Sequence, residues 1–362
     1  MQRVVHIMID RLKNRSYDLH LCCLDYGGMF YEKIDQKLVS KYIIGRKPGP
    51  FDFKIYKWLQ AFIKEKKIDI IHSHNGCSLY AALLKASGNI KGIVHTDHGR
   101  LIPDKKSAIW EDRLSSYFID KVVSVSDPLS EYLHSKVKIK NEKITTIING
   151  VDTEIFIPFN QGKKIQRRKE LSIEEDANII GTVCRLDSIK NLIYLIQIVP
   201  EILRINPKCR FVIVGDGPER KYLMEECARM RQNKCVTFMG NIVDVQNVLP
   251  IFDIYVNTSL SEGTSMTILE AMSCGLPVIA SAVGGNKKLV SESNGVLFNL
   301  QNKRKFIESV VYILNDHRLK DEKGKKSREI VERQFSIDRM IMQYEDLYES
   351  LIHNAIRVRN EK

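Results

Sequence analysis

Short apolar runs alternate with amphipathic stretches along this chain, and the alternation is clear from residue 68 onward. Residues 68–74 read as a strand, 79–86 as a helix and 92–95 as a strand; a helix at about 109–119 and strands at 121–126 and 144–148 follow. Near-continuous apolar strands separated by helices predict parallel sheets covered on both faces. The pattern breaks over 160–176, a polar, basic stretch without an apolar period that reads as a linker. It restarts at Asn178, with strands at 179–184, 211–214, 236–239, 254–257 and 278–280, helices between them, and three more helices from about residue 303. The fold class predicted is α/β, with two doubly wound domains facing a cleft and ligands at the carboxyl ends of the strands.

The beginning of the chain follows a different period. Val5, Met8, Ile9 and Leu12 fall at i, i+3, i+4 and i+7, so 3–13 is predicted as a helix and 19–24 as the first strand. A rival strand at 4–9 would leave only residues 10–18 for the crossover, short of the dozen or so that parallel strands need. On this reading the chain opens inside a helix, with no strand and no glycine-rich turn before it.

Residues 262–270 read Glu-Gly-Thr-Ser-Met-Thr-Ile-Leu-Glu. Met266, Ile268, Leu269, Ala271 and Met272 cover every face of a helix, which predicts that the helix is buried. Glu270 sits within that run, and a Glu is almost never buried without partners. Thr264 or Ser265 suits the N-cap, Gly275 the C′ position, and Pro277 bars continuation. The plainer alternative is a surface Glu262 and a Glu270 paired to a core Arg.

Composition narrows the class. With 362 residues, 44% hydrophobic and 28% charged, the chain is globular and sized for about two domains. No apolar run reaches the roughly 18–20 residues of a membrane span, and no signal peptide is visible. The eight cysteines form no Cys-x-x-Cys pair, and most sit in apolar stretches, as core residues in a reducing cytosol do. The net charge of +12 is scattered, and aromatics do not interleave with it as a single-strand nucleic-acid groove requires. A protein in the cytoplasm with peripheral contact to the anionic inner face of a membrane, and no nucleic-acid partner, fits that charge.

Three further groups stand at strand ends. Arg185 follows the strand at 179–184 and Lys190 opens the next helix, an arrangement suited to clamping a diphosphate or, equally, two solvated cations. Gly215-Asp216-Gly217-Pro218 is a turn before a helix, of low specificity. His95-Thr96-Asp97-His98-Gly99-Arg100 lacks further ligands at metal-site spacing, so a histidine contacting a polar substrate competes with a structural one.

Together these motifs resemble the family 4 retaining glycosyltransferases of the GT-B fold, nearest to bacterial transferases of exopolysaccharide or surface-polysaccharide assembly. The matching residues are Asn149-Gly150-Val151-Asp152, 181–187 with Lys190-Asn191, 212–218 and 261–277, spread from about residue 4 to 352. The resemblance implies a Rossmann-like acceptor-side domain at 1–155, with a C-terminal helix at about 338–357 packing back on it, and a donor-binding domain at 156–337. It places Arg185 and Lys190 on the donor diphosphate, with Gly215 beside them. It places Glu270 on the ribose hydroxyls, Glu262 on the donor sugar, and Thr264, Ser265, Met266 and Thr267 at sugar and phosphate. His98, which directly precedes Gly99, aligns with the histidine near the transferred sugar. Glu262 and His98 are thus the implied catalytic pair. The family needs no metal or cofactor. Its donor is a nucleotide sugar, here expected to be uridine-based, and its acceptor a glycan or lipid-linked glycan. Relatives begin with a strand and a glycine turn that this chain is expected to lack, through a shortened reading frame or truncation. The alternatives are a non-catalytic sugar-nucleotide-binding or partner protein of the same fold, and an epimerase.

Overall fold

A computed structural model describes residues 2–45, 51–87, 90–100 and 104–360. The chain divides into two compact units, one of residues 1–149 with 337–362 and the other of residues 150–336. The helix Ile337–Asn360 therefore belongs with the first unit, and the division falls at Asn149/Gly150, a few residues before the expected 155/156.

In the first unit, strands β1 (His20–Cys23) and β2 (Ser40–Ile43) pair in parallel. Strands β3 (Ile70–His74), β4 (Gly92–Asp97), β5 (Lys121–Ser124) and β6 (Ile144–Thr146) form a separate parallel sheet in that order. Every residue of β4 is buried, which is why it reads as an uninterrupted run. The first helix, Gln2–Leu12, buries Val4, Met8 and Leu12, so its inner face is turned one residue from the predicted stripe. The structure adds β2, which the sequence reading missed. Ser40-Lys41-Tyr42-Ile43 is short and only half-buried, so it carries no strong period.

The second unit holds one six-stranded parallel sheet. Its strands are β7 (Asn178–Val183), β8 (Cys209–Val214), β9 (Val236–Gly240), β10 (Ile254–Asn257), β11 (Val278–Ser281) and β12 (Gly295–Phe298), in the order β12-β11-β10-β7-β8-β9. Progression runs outward in both directions from β7 and β10, so the order reverses between them. Adjacent loops leave on opposite faces at such a switch point and open a crevice at the carboxyl ends of the strands.

The stretch 160–176 is not a linker. Residues Gln161–Glu170 form a helix capped by Asn160, whose side chain accepts from the Lys163 amide. Charge, not an apolar stripe, holds it to the sheet, which explains why periodicity missed it. Arg168 is buried and donates to Asp253 Oδ2 at 2.7 Å and to the Ile251 carbonyl at 2.7 Å. Lys164 and Lys320 reach Asp253 Oδ1 at 2.9 and 3.1 Å. Burial alone would raise the Asp253 pKa, but Lys164, Lys320 and Arg168 outweigh it and hold the carboxyl well below the usual range. All eight cysteines are free, and burial pushes the Cys209 and Cys227 thiols up to about 12, so neither is reactive.

Candidate active site

The switch point in the second unit gathers most of the predicted residues. β7 ends at Val183, and the turn after it is shaped by Asp187, whose carboxylate accepts from the Lys190 amide at 3.3 Å. Asn191 then adopts φ 51°, in the left-handed region, and opens the helix Leu192–Ile205. The loop after β10 is sewn to this turn. Thr258 Oγ1 donates to the carbonyls of Lys190 and Asn191 at 3.0 and 3.2 Å, and the Leu260 amide donates to the Ile189 carbonyl at 2.7 Å.

Within that frame Lys190 Nζ lies 2.7 Å from Glu262 Oε1. The same oxygen accepts from Ser259 Oγ at 2.6 Å and Asn257 Nδ2 at 3.1 Å. Three donors on one carboxylate oxygen fix the side chain, which is 8% exposed. Asn257 is held in turn by the buried Asn286, and Ser259 by Ser281, so β10, β11 and the segment after it support Glu262 from behind. These polar supports were missed in the sequence, where single Asn and Ser residues have no period to mark them.

The helix Met266–Ser273 begins here. Ser265 is its N-cap, accepting weakly from the Ile268 amide at 3.4 Å, and Thr267 Oγ1 accepts from the buried Tyr255 hydroxyl at 2.7 Å. The helix closes as predicted: Gly275 has φ 72°, its amide donates to the Met272 carbonyl, and the Leu276 amide donates to the Ala271 carbonyl. Glu270 lies in the second turn and is fully buried, while Thr264, Met266 and Thr267 are half-buried at the helix start. The positive end of the helix dipole and the Lys190 ammonium thus sit in one loop system, a setting that stabilises an anionic ligand.

The expected Arg185–Lys190 clamp is modified. Lys190 is engaged by Glu262, whereas the Arg185 side chain is 73% exposed, with Asp187 Oδ2 3.8 Å from its Nε. Gly215 serves the backbone first. Its φ is 131°, and a Cβ there would stand 1.8 Å from the Cys184 carbonyl oxygen, so only glycine lets the β8 exit cross the β7 exit.

His98 belongs to the first unit, directly after β4. The Asn75 side chain spans the loops after β3 and β4, accepting from the His98 amide at 2.8 Å and donating to the Gly99 carbonyl at 3.2 Å. His98 Nε2 lies 2.9 Å from His74 Nδ1, so one ring donates to the other, and His98 Nδ1 is buried with no protein partner among the described residues. Burial, then the neighbouring His74, lowers the His98 pKa to about 2, keeping the ring neutral. His95 is a structural histidine. It is buried inside β4 with its Nδ1 2.9 Å from Ser73 Oγ. The sequence reading missed His74, and its one available signal was the alternation His72-Ser73-His74, which puts both rings on one face of β3. His72 is half-buried between the Tyr348 hydroxyl and Thr96 Oγ1, both at 2.7 Å. Among the described residues no helix is long and apolar enough to cross a membrane.

Comparison with known proteins sets this geometry in context. The family model described as Glycosyltransferase Family 4 matches residues 1–155, and that described as Glycosyl transferases group 1 matches residues 177–316. The chain is 28% identical to the Escherichia coli UDP-Gal:alpha-D-GlcNAc-diphosphoundecaprenol alpha-1,3-galactosyltransferase, over 98% of this chain and 94% of that protein. It is 25% identical to the Bacillus anthracis N-acetyl-alpha-D-glucosaminyl L-malate synthase, over 91% of this chain and 86% of that protein. Among solved structures, Anabaena HepE in complex with UDP superposes with a TM-score of 0.84 at 19% identity, covering 96% of each chain. A glycosyltransferase from Rickettsia africae gives 0.83 at 20% identity, covering 98% of this chain and 95% of that one. At such identities the structural likeness speaks for the fold.

Proposed function

The chain belongs to the family 4 glycosyltransferases of the GT-B fold, and from that premise we propose that it moves a hexose-type sugar from a uridine diphosphate donor to a lipid-linked or glycan acceptor, with retention at the anomeric carbon. The observation that carries this reading is the Glu262–Lys190 pair at the β7/β10 switch point, beside the N-terminus of the helix Met266–Ser273. A diphosphate supplies the anion that this cation and helix end are arranged to meet, with Arg185 reaching in from solvent. Glu270 holds the ribose hydroxyls, and Glu262 turns its carboxylate to the sugar once phosphate competes for Lys190. Thr264, Ser265, Met266 and Thr267 contribute the first backbone amides of the helix, and Gly215 keeps the β8 exit low.

In this mechanism the acceptor attacks the face the nucleotide leaves, and the departing phosphate takes the acceptor proton. Lys190, Arg185 and the helix dipole stabilise the charge that grows on that phosphate, without a metal or cofactor. His98, held neutral and pinned by His74, offers Nδ1 to a hydroxyl of the transferred sugar. The lipid-linked acceptor in the name of the Escherichia coli relative supports a protein that works peripherally at the cytoplasmic face of a membrane.

The test is calorimetry with uridine diphosphate, then transfer from a panel of nucleotide sugars screened by thermal shift. Arg185→Ala and Glu270→Ala are each expected to remove donor binding or nearly so. Unchanged affinity in both variants overturns the site assignment, and inversion at the anomeric carbon overturns the mechanism.

A further inference from the structure

The helix Lys106–Ser115 in the first unit is turned inside out. Its only buried residue is Ser115, while Trp110 and Leu114 are 59% and 58% exposed. The turn that follows continues the stripe, with Tyr117 63% and Phe118 52% exposed. Positions 110, 114, 117 and 118 follow helical spacing, so four large apolar side chains share one outward face.

The opposite, inward face is polar, and its bonds fix the orientation. Asp112 Oδ1 accepts from Ser78 Oγ at 2.8 Å and Asp112 Oδ2 from Arg100 Nη2 at 2.7 Å. Arg100 is itself anchored by Asp97 and Asp104. The helix cannot roll to bury Trp110 without breaking an ion network that is itself largely buried. A single exposed apolar residue needs no explanation, but a contiguous aromatic face held outward by a buried network marks an interaction surface.

Charge identifies the partner. The exposed residues from 105 to 118 are Lys105, Lys106, Ser107, Ala108, Trp110, Leu114, Tyr117 and Phe118, so every exposed charge among them is basic. Arg113 lies over the Trp110 ring at 5.4 Å, adding a cation at the edge of the aromatic face. Of the acids nearby, Asp104 and Asp112 are occupied by Arg100 and Asp120 by Lys85, Glu111 is half-buried, and the exposed Glu142, next to the Lys143 that binds the Tyr117 carbonyl, pairs with Lys140 at 3.6 Å. Trp, Tyr, Phe and Leu beside Lys and Arg is the composition of a surface that lies in the headgroup region of a bilayer.

We infer that the face formed by Trp110, Leu114, Tyr117 and Phe118, rimmed by Lys105, Lys106 and Arg113, docks this protein on an anionic phospholipid bilayer. The inference deepens the proposal of a peripheral enzyme with a lipid-borne acceptor and rests on it, but vesicle binding needs neither donor nor acceptor. Failure of docking therefore leaves the transfer reaction standing, and failure of transfer leaves docking standing.

The experiment is co-sedimentation of the full chain with vesicles of phosphatidylglycerol and phosphatidylcholine in equal parts, and with pure phosphatidylcholine. The wild type is expected to bind the anionic vesicles and lose them as salt rises. Trp110→Ser with Leu114→Ser should weaken binding at least about tenfold with an unchanged thermal midpoint. Lys105→Ala and Lys106→Ala should each weaken it about fivefold. The chain has two tryptophans, so Trp58→Phe leaves Trp110 as the lone reporter, and its emission should shift to the blue on anionic vesicles. No binding by the wild type, equal binding by Trp110→Ser/Leu114→Ser, or an unshifted Trp110 emission overturns the inference. So does a dimer in solution that the same double variant dissolves, since that assigns the face to a second copy.

Discussion

Lys190 and Glu262, 72 residues apart in sequence, meet at 2.7 Å where the strand order of the second unit reverses. Each fixes the other's side chain until, in the proposed reaction, a donor phosphate competes for Lys190. Glu262→Gln removes the charge but keeps the volume, and it is expected to lower kcat by about a hundredfold or more while changing UDP affinity little. Lys190→Met is expected to weaken UDP by roughly tenfold to a hundredfold, the worth of a charge-assisted hydrogen bond. Transfer kinetics and calorimetry separate the two, and a large loss of UDP affinity in Glu262→Gln contradicts this division of labour.

Gly215→Ala forces a Cβ to within 1.8 Å of the Cys184 carbonyl oxygen at a φ of 131°. We expect a loss of about 3 kcal/mol or more, from strain and displaced backbone together. Gly76→Ala is the contrast, with φ 79° and nothing within 4 Å, and it should cost only about 1 kcal/mol. Urea unfolding of the two variants checks the difference, which disappears if Gly215 sits in open space.

Asp253 is a carboxylate shared by Lys164, Lys320 and Arg168, and it also accepts from the Ile179 amide at 2.8 Å. Asp253→Asn leaves three cations without their counter-charge and should destabilise the second unit by about 3–5 kcal/mol. Because its folded pKa lies below the ordinary 3.8, its contribution is present above that pH and lost as the pH falls through the folded value. Acid unfolding followed in wild type and Asp253→Asn should show the difference between them shrinking in strong acid.

His72, His74, His95 and His98 all have lowered pKa values, chiefly through burial, with His74 at about 3. Unfolded, each would take up a proton near pH 6.5, which the folded protein resists. The unfolded state therefore binds more protons below that pH, so stability is greatest above about 6.5 and declines as the pH falls toward 3. Denaturant midpoints measured across that window test the sign. His95→Asn, which keeps a partner for Ser73, should give a shallower decline.

Sequence by itself determined the two parallel-sheet units, the buried helix Met266–Ser273 and its glycine stop, because buried strands, helix periods and caps are local patterns. It also pointed to Arg185, Lys190, Glu262 and Glu270, since strand ends and helix starts can be read along the chain. Tertiary structure alone decided which of these meet. Glu262 took Lys190, Arg185 stayed in solvent, and Gly215 served backbone crossing. It decided, too, that Gln161–Glu170 is a helix anchored by Asp253, and that the stripe from Trp110 to Phe118 faces outward. The physical reason is common to these cases. Periodicity records which side chains share a face, while the direction of that face is set by ion pairs and hydrogen bonds between residues far apart in sequence.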